Sequence, residues 1–566
     1  MTETFDFIIV GAGSAGCVLA NRLSKDPSNE VLLLEAGGKD SSTMIHMPSA
    51  LWLLVKCPRF NWGYESEPQP RLLNRRIATP RVKVLGGSSS INGMMFVRGN
   101  PLDYDNWVEL GATRWSYPQV LPYFKRMECF AEGGDAYRGD SGELKVRKAS
   151  SPNPLYAAFI QAGVEAGYLR TSDLNGYQQD GFGQCDMSIG NQRRWSTAKG
   201  YLHSLGRRDN LKIVLRAHVT HVEVEGNRAG GVVYQLDGHD VVAKASREVV
   251  ISAGAINTPQ ILKLSGIGPG AELQSLGIVV KNERPGVGEN LTDHTGVRIS
   301  HECLAPVSLH PKLTLVGKAI IGMQWLMFKT GLGGSNQLEA SAFIRSRSRL
   351  QWPDLQLDFT PLALSESDEL EPVPHGFQTH FGPVRPKSRG HVTLRSRDSR
   401  DPPFIQYDYF DHDEDWEVMR AGMRLTREIH RQPAFDRFRG RELSPGEDVR
   451  SNTEIDDFIR RTTKTVYHPI STCRMGTDLM AVVDSQCRVH GAEGLRVVDA
   501  SVMPQITTGN TNAPVIMIAE KAADMILGQP PLAVDEADYF VAPDWETRQR
   551  PGEAVRTIGS TGDDNH

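Results

Sequence analysis

Residues Phe7-Ile8-Ile9-Val10 run directly into Gly11-Ala12-Gly13-Ser14-Ala15-Gly16, and after a helical segment the chain returns as Val31-Leu32-Leu33-Leu34-Glu35. Strand, glycine-rich turn, helix, second strand and terminal acid, in that order, form a βαβ unit suited to a dinucleotide. Gly11 permits the tight turn out of a buried strand, Gly13 lets the backbone approach a pyrophosphate, and Gly16 lets the helix lie close on the sheet. The N–H groups where Ser14 and Ala15 open that helix receive phosphate charge. Glu35, followed by Ala36, ends the second strand where an adenosine ribose would lie. Its carboxylate accepts from both ribose hydroxyls and would repel a 2′-phosphate. A glycine-rich turn alone also serves as a plain connection; the ordered context decides for the ligand.

The remainder of the chain is large enough for two or three domains, with 566 residues at about 150 per domain. A formal charge of −5, from 63 basic and 68 acidic residues, gives no global attraction for nucleic acid. Seven cysteines without CxxC spacing indicate neither a disulfide framework nor a zinc site, so no metal is expected and the cytoplasm is the expected compartment. The first strand begins by Phe5 with no charged and apolar leader before it. No apolar run reaches the roughly 18 residues that would span a bilayer. Ala50–Val55 and Leu313–Phe328, the latter interrupted by Lys318, read first as buried or lid-forming segments, with peripheral contact at the inner face of a membrane as the alternative.

Leu85-Gly86-Gly87-Ser88-Ser89-Ser90-Ile91-Asn92-Gly93 is a loop whose small residues bring backbone N–H groups close to a ligand, or else a surface turn. Three β-rich runs, Lys212–Leu215, His218–Glu225 and Gly230–Gln235, precede Val249-Val250-Ile251 and return the chain to the nucleotide sheet. Asn257–Gly266 reads as a helix with Pro259 in its first turn and Gly266 past its end. From about His301 to Gln432, runs such as Leu355–Phe359 and Gly390–Arg395 predict an antiparallel substrate-side sheet. Gly494–Ser501 reads as a buried strand ending in an acid, and Ala513–Leu527 as a helix. The expected organisation is an α/β, Rossmann-like dinucleotide-binding domain, discontinuous in sequence and made of residues 1–155, 206–300 and 460–530, with an α+β substrate domain built on an antiparallel sheet from 156–205 and 301–459. Residues 531–566 form a polar tail, with disorder expected over roughly the last 15.

Taken together, the Gly11–Gly16 turn, Leu85–Gly93, Gly254–Gly268, His468-Pro469 and Asn510-Thr511-Asn512 resemble the glucose-methanol-choline oxidoreductases over nearly the whole chain. Leu174–Phe182, Phe435–Ser444 and Val498–Pro504 carry a closer likeness to bacterial choline dehydrogenases and related acceptor-dependent alcohol dehydrogenases. The resemblance implies FAD rather than NAD and oxidation of a primary alcohol to an aldehyde. It implies Glu35 on the adenosine ribose, Asn92, Gly93, Met94 and Met95 along the flavin and pyrophosphate, and Val219 by the adenine. It implies Ala500 near the diphosphate and ribityl, and Asn512 at the pyrimidine edge. Two departures accompany it. Val82 stands where members mostly have glycine, and Ile91 where members with covalent flavin carry His, so the FAD is expected to be non-covalent and releasable.

Oxidising an alcohol requires taking a hydroxyl proton while the α-hydrogen leaves as hydride to flavin N5. A hydroxyl is far less acidic than an imidazolium of pKa about 6.5, so a base must act as charge develops and not by making free alkoxide. His468, one of 16 histidines, matches the family's base. Asn510 matches the amide that holds the same oxygen. On the substrate side the likeness places Tyr467, Glu339, which aligns with the acid that meets trimethylammonium in choline-oxidising relatives, and Asp358, where those relatives carry His. A carboxylate at 358 points either away from the reacting oxygen, to a protonated state, or to a different substrate. The implied partners are a small alcohol and a quinone or other non-oxygen acceptor. An alcohol oxidase using O2 is the alternative, and a redox-silent lyase or fatty acid photodecarboxylase of the same fold stands behind it. The chain sets no oligomeric state.

Overall fold

The computed structural model describes residues 3–368 and 370–557. Glu3–Val10 lies between Val31–Glu35 and His239–Ile251, all parallel, and Leu211–Leu215 extends the sheet beyond Val31–Glu35. Phe7, Ile8, Ile9 and Leu33 are fully buried, as expected of strands covered on both faces. Arg228–Leu236 and His218–Glu225 continue the sheet antiparallel, and Leu495–Val497 joins His239–Ile251 from far along the chain. Helices Ser14–Leu23 and Asn512–Ile526 share one apolar core with this sheet.

A second seven-stranded sheet is antiparallel, in the order Arg439–Ser444, Thr295–Cys303, Gly376–Pro383, Leu355–Thr360, Ala340–Ile344, Gly181–Gln184, with Lys464–Thr465 paired to the start of Thr295–Cys303. Alternation sorts its faces. Leu355, Leu357 and Phe359 enter a core with Phe377, Phe381 and Phe435. Asp358, Thr360, Gln378 and His380 face a cavity between this sheet and the first. Thr295–Cys303 runs through position 300, where the sequence reading sets the boundary between its two domains.

Four expectations change. Gly390–Arg395 does not join the second sheet: His391–Thr393 pairs only with Phe404–Gln406. Leu291 exchanges backbone hydrogen bonds with Gly390, and Lys263 Nζ donates to the Val392 carbonyl at 2.7 Å, drawing the hairpin to the nucleotide half. Pro259 lies inside helix Gly254–Leu264, not in its first turn. The Ala255 carbonyl, which Pro259 cannot serve for want of an N–H, accepts instead from Thr472 Oγ1 at 2.7 Å. Leu313–Phe328 is not buried: helix Leu315–Phe328 exposes every side chain except Trp325 and a few half-covered neighbours. The polar tail is held rather than loose as far as residue 557. Lys125 pairs with Asp535, Tyr539 donates to Asp105, Arg550 grips Glu428 through two bonds, and Gly552 N–H donates to the Gly167 carbonyl. Charge and backbone pairing hold what apolar content does not. Residues 558–566 lie outside the described residues.

Candidate active site

The cavity between the sheets measures about 990 Å³ and is lined at one end by the glycine-rich turn and at the other by His468 and Asn510. Gly11 has φ +98°, and a Cβ there would sit 2.6 Å from the Ser252 carbonyl; a Cβ on Gly16 would come within 1.9 Å of the Gly11 carbonyl. Side chains are excluded at both places, which lets the helix begin against the strand end. Gly13 differs, since its Cβ would meet nothing nearer than 3.9 Å. That open side faces the cavity. Helices Ser14–Leu23 and Asn512–Ile526 both begin there without a side-chain cap, leaving N–H groups for an anion. Ser14 Oγ donates to Asn512 Oδ1 at 2.7 Å and ties the two starts together.

Glu35 Oε2 accepts from Ala12 N–H at 2.9 Å and Oε1 from Gly37 N–H at 2.8 Å. Each oxygen keeps a lone pair for a ribose hydroxyl. Burial pushes the Glu35 carboxyl up to about 7 against these two bonds. The loop after Gly86 forms a short turn, Gly87–Ser90, whose Gly87 packs on Gly13. Its carbonyls turn inward to Arg194, which donates to Ser89 O at 3.2 Å, Asn92 O at 2.7 Å, Asn92 Oδ1 at 2.7 Å and Ile45 O at 2.9 Å. Arg194 is fully buried, pairs with no carboxylate among the described residues, and is pushed down to about 9 by burial. With those carbonyls fixed behind it, the loop presents Asn92, Gly93, Met94 and Met95 to the cavity. Ser252 Oγ and Asn510 Oδ1 are buried without a partner. The two uncapped helix starts, the open side of Gly13 and these two unpaired oxygens fit a dinucleotide carrying a polar ring system.

At the reacting end, His468 N–H donates to Asp293 Oδ1 at 2.7 Å, and Asp293 Oδ2 accepts from Tyr409 at 2.6 Å and from Thr465. Tyr467, with φ +69°, turns the chain so that the His468 ring enters the cavity. The His468 Nδ1 lies 3.0 Å from His294 Nδ1, with the rings perpendicular. The His294 Nε2 lies 2.9 Å from the Val384 carbonyl, which can only accept. His294 Nε2 therefore carries the proton, and its Nδ1 is a bare acceptor. His468 must then donate from Nδ1, which leaves its Nε2 unprotonated and accepting from the Asn510 amide N–H at 3.2 Å. Burial first, then His294, Arg81 and His380, holds His468 well below 6.5, so it is neutral at physiological pH.

Gly11, Gly13, Ser14, Ala15, Glu35, Ala36, Val219, Ala500 and Asn512 line the cavity, as do Tyr467 and Asp358. Gly16 sits behind the turn. Glu339 is not brought to the cavity. Its Oε1 accepts from Ser335 and its Oε2 is buried without a partner, while its neighbours Gln337 and Leu338 form the wall. Asp358 is on the wall. It accepts from Ser341 Oγ at 2.6 Å and Gln356 Nε2 at 3.0 Å, and burial pushes it up to about 6. Val82 and Ile91 also line the cavity, Ile91 within a small apolar cluster with Ile45, Leu54, Phe60 and Val84. Sequence reasoning did not single out Asp293, His294, His380 or Arg194, and read Asp499 only as the acid that ends a buried strand. Asp499 accepts from Gly254 N–H and Thr258 Oγ1 and so ties the turn after Leu495–Val497 to the first turns of helix Gly254–Leu264. The one available signal was Asp293-His294, an acid and an imidazole immediately before strand Thr295–Cys303.

A nucleotide-binding sheet facing a substrate sheet across a cavity, with a neutral imidazole at the far end, defines a flavin-linked oxidoreductase. The family models described as GMC oxidoreductase match residues 5–296 and 386–519. The chain belongs to the GMC oxidoreductases and is an FAD-dependent alcohol oxidoreductase. It is 49% identical over 568 residues to an oxygen-dependent choline dehydrogenase of Pseudomonas fluorescens, covering 99% of this chain and all of the relative. It is 47% identical over 547 residues to one of Brucella anthropi, covering 96% of this chain and all of that one. Among solved structures, pyridoxine 4-oxidase from Mesorbium loti matches with TM-score 0.84 and 32% identity, over 93% of this chain and all of the other. Aspergillus oryzae formate oxidase matches with TM-score 0.88 and 27% identity, over 93% and 98%.

Proposed function

We propose that this enzyme oxidises a primary alcohol to an aldehyde with His468 as the base, and passes the electrons to a quinone or another non-oxygen acceptor, with the membrane as the place of that exchange. The observation that carries it is the relay from the Val384 carbonyl through His294 to His468, which leaves Nε2 unprotonated toward the cavity. FAD, when bound, supplies the hydride acceptor. Asn510 holds the substrate oxygen through its amide N–H, and His468 Nε2 takes the hydroxyl proton as the α-hydrogen leaves. Because burial disfavours the imidazolium, His468 is a weak base, and proton transfer is coupled to C–H cleavage. The same burial drives the proton off again after the aldehyde departs.

Glu35 and Val219 receive the adenosine end, the Gly11–Gly16 turn and Ala500 the diphosphate, and Asn92–Met95 with Asn512 the flavin. The cofactor is held non-covalently, since Ile91 offers no nucleophile. Asp358 supplies the carboxylate on the substrate wall; Glu366 and Asp368, also on the wall, already pair with Arg461, Arg298 and Lys464. A cationic alcohol of the choline type draws the Asp358 carboxyl into its ionised form, and Tyr467 covers the substrate side. Anaerobic mixing with choline, benzyl alcohol, alkanols and polyols tests this. One of them bleaches the flavin in the dark, and the same alcohol then reduces a quinone analogue faster than it forms peroxide. Peroxide in step with substrate would make the enzyme an oxidase. No bleaching by any alcohol would end the reading.

A further inference from the structure

The helix Leu315–Phe328 has no business in water. Leu315 is 87% exposed, and Val316, Ile320, Met323, Leu326, Met327 and Phe328 are all more than half exposed. A helix apolar on every face is stable when something apolar surrounds it, and monomeric proteins seldom show so large a continuous patch. One pin holds it to the body: the buried Trp325 donates its indole N–H to the Gln192 carbonyl at 2.7 Å and lies against Gly333 and Met47. The short helix Leu51–Val55 adds exposed Trp52 and Leu53. Both helices border the mouth of the active-site cavity, through Trp52, Leu53 and Lys56 on one side and Lys318, Ile321 and Gly322 on the other.

Charge identifies the occupant. Residues 303–338 and 41–62 contain no Asp or Glu, yet they carry Lys312, Lys318, Lys329, Lys56 and Arg59, in a chain whose net charge is −5. A second copy docking about a two-fold axis would set these cations against each other without a carboxylate in either segment. An anionic phospholipid surface meets both demands. Headgroups take the lysines, the upper acyl region takes Leu, Met and Phe, and Trp52 suits the boundary. At 14 residues the helix is too short to cross a bilayer, and no described helix is long and apolar enough to do so.

We propose that this collar docks the enzyme on an anionic bilayer with its cavity mouth against the lipid. This deepens the reading above, since it rests on a lipid-soluble acceptor entering at that mouth, and its test reads binding without turnover. The purified holoenzyme is floated with vesicles of phosphatidylcholine alone or with phosphatidylglycerol. Wild type is expected to float with the anionic vesicles and far less with neutral ones. M327S/F328S, at exposed positions outside the cavity wall, is expected to lower the bound fraction at least about tenfold while dye reduction by a saturating alcohol stays unchanged. K312E is expected to abolish the preference for anionic lipid. Wild type remaining in the aqueous layer, or M327S/F328S floating as well as wild type, overturns the proposal. So does a wild-type dimer that M327S/F328S dissociates with no vesicle binding, which assigns the face to a second copy. Loss of all alcohol oxidation with intact flotation would sink the proposed reaction and leave the docking surface standing.

Discussion

His294 is the sharpest place to test the chemistry, because it never reaches the cavity wall and acts only through His468. Replacing it by Phe keeps an aromatic ring but removes the nitrogen that accepts from His468 Nδ1 at 3.0 Å. A buried donor left unpaired costs about 1–3 kcal/mol. That cost falls on the productive tautomer alone, so its population drops about 5- to 150-fold. An upper limit is set by hydrolase triads, where a wrong tautomer of the base costs about ten-thousand-fold. Single-turnover bleaching of the flavin under anaerobic conditions reads the step directly. The expected result for His294→Phe is a fall in the limiting rate within that window, with the substrate's apparent Kd nearly unchanged and a full complement of FAD. His294→Asn, whose side-chain oxygen can accept near the same point, is expected to recover most of the rate. Wild-type bleaching by the Phe variant with FAD bound would refute the relay. Where the Phe variant loses FAD, the comparison is His294→Asn against His294→Gln, whose longer side chain carries its oxygen past the point that His468 Nδ1 faces at 3.0 Å.

Three other outcomes follow from the same geometry. His468→Ala is expected to stay yellow while turnover drops by about 100- to 10,000-fold, and in wild type kcat is expected to be flat from pH 6.5 upward because His468 is already neutral there. Glu35, raised to about 7 in the empty cavity, is favoured in its ionised form by ribose hydroxyls, so FAD binding releases its proton; affinity of the apoprotein for FAD is expected to weaken about tenfold per pH unit below 7 and to level off above it, a dependence that Glu35→Gln removes and that fluorescence titration at several pH values measures. Arg194→Met frees the inward carbonyls of the Ser89–Asn92 loop and removes a buried charge, and is expected to lower FAD affinity at least about tenfold, whereas an unchanged Kd would show that the loop holds its shape without the guanidinium.

The nucleotide half was legible because its signals are local. Gly16 is required by its contact with the Gly11 carbonyl inside the same βαβ unit, Gly11 by its own φ of +98°, and Glu35 follows from the length of its strand. The second sheet was legible as alternation in Leu355–Phe359, but the fate of Gly390–Arg395 was not, since it is decided by Leu291 and Lys263, far back along the chain. His468 and Asn510 were found by resemblance alone, as nothing in their surrounding residues marks an imidazole as a base. His294, Asp293 and Arg194 were missed for one reason. Each acts by holding another group's hydrogen-bonding partner in place, and such a role exists only once distant segments meet. Asp358 is carried inside Leu355–Thr360 on the cavity face, whereas Glu339 precedes strand Ala340–Ile344 and is turned to Ser335, a loop contact that alternation does not reveal.

Asp293 and His294 stand at the entrance to Thr295–Cys303, the strand that begins the second sheet, while His468 and Asn510 come from loops that return to the first. The Asp293 carboxylate grips the His468 backbone and the His294 ring fixes its proton. Backbone bonds from Val466 N–H to His294 O and from Ile470 N–H to Thr292 O, both 2.9 Å, bracket the same pair, so the base and the ring that orients it form one unit, and the tautomer that leaves Nε2 unprotonated is built into that unit.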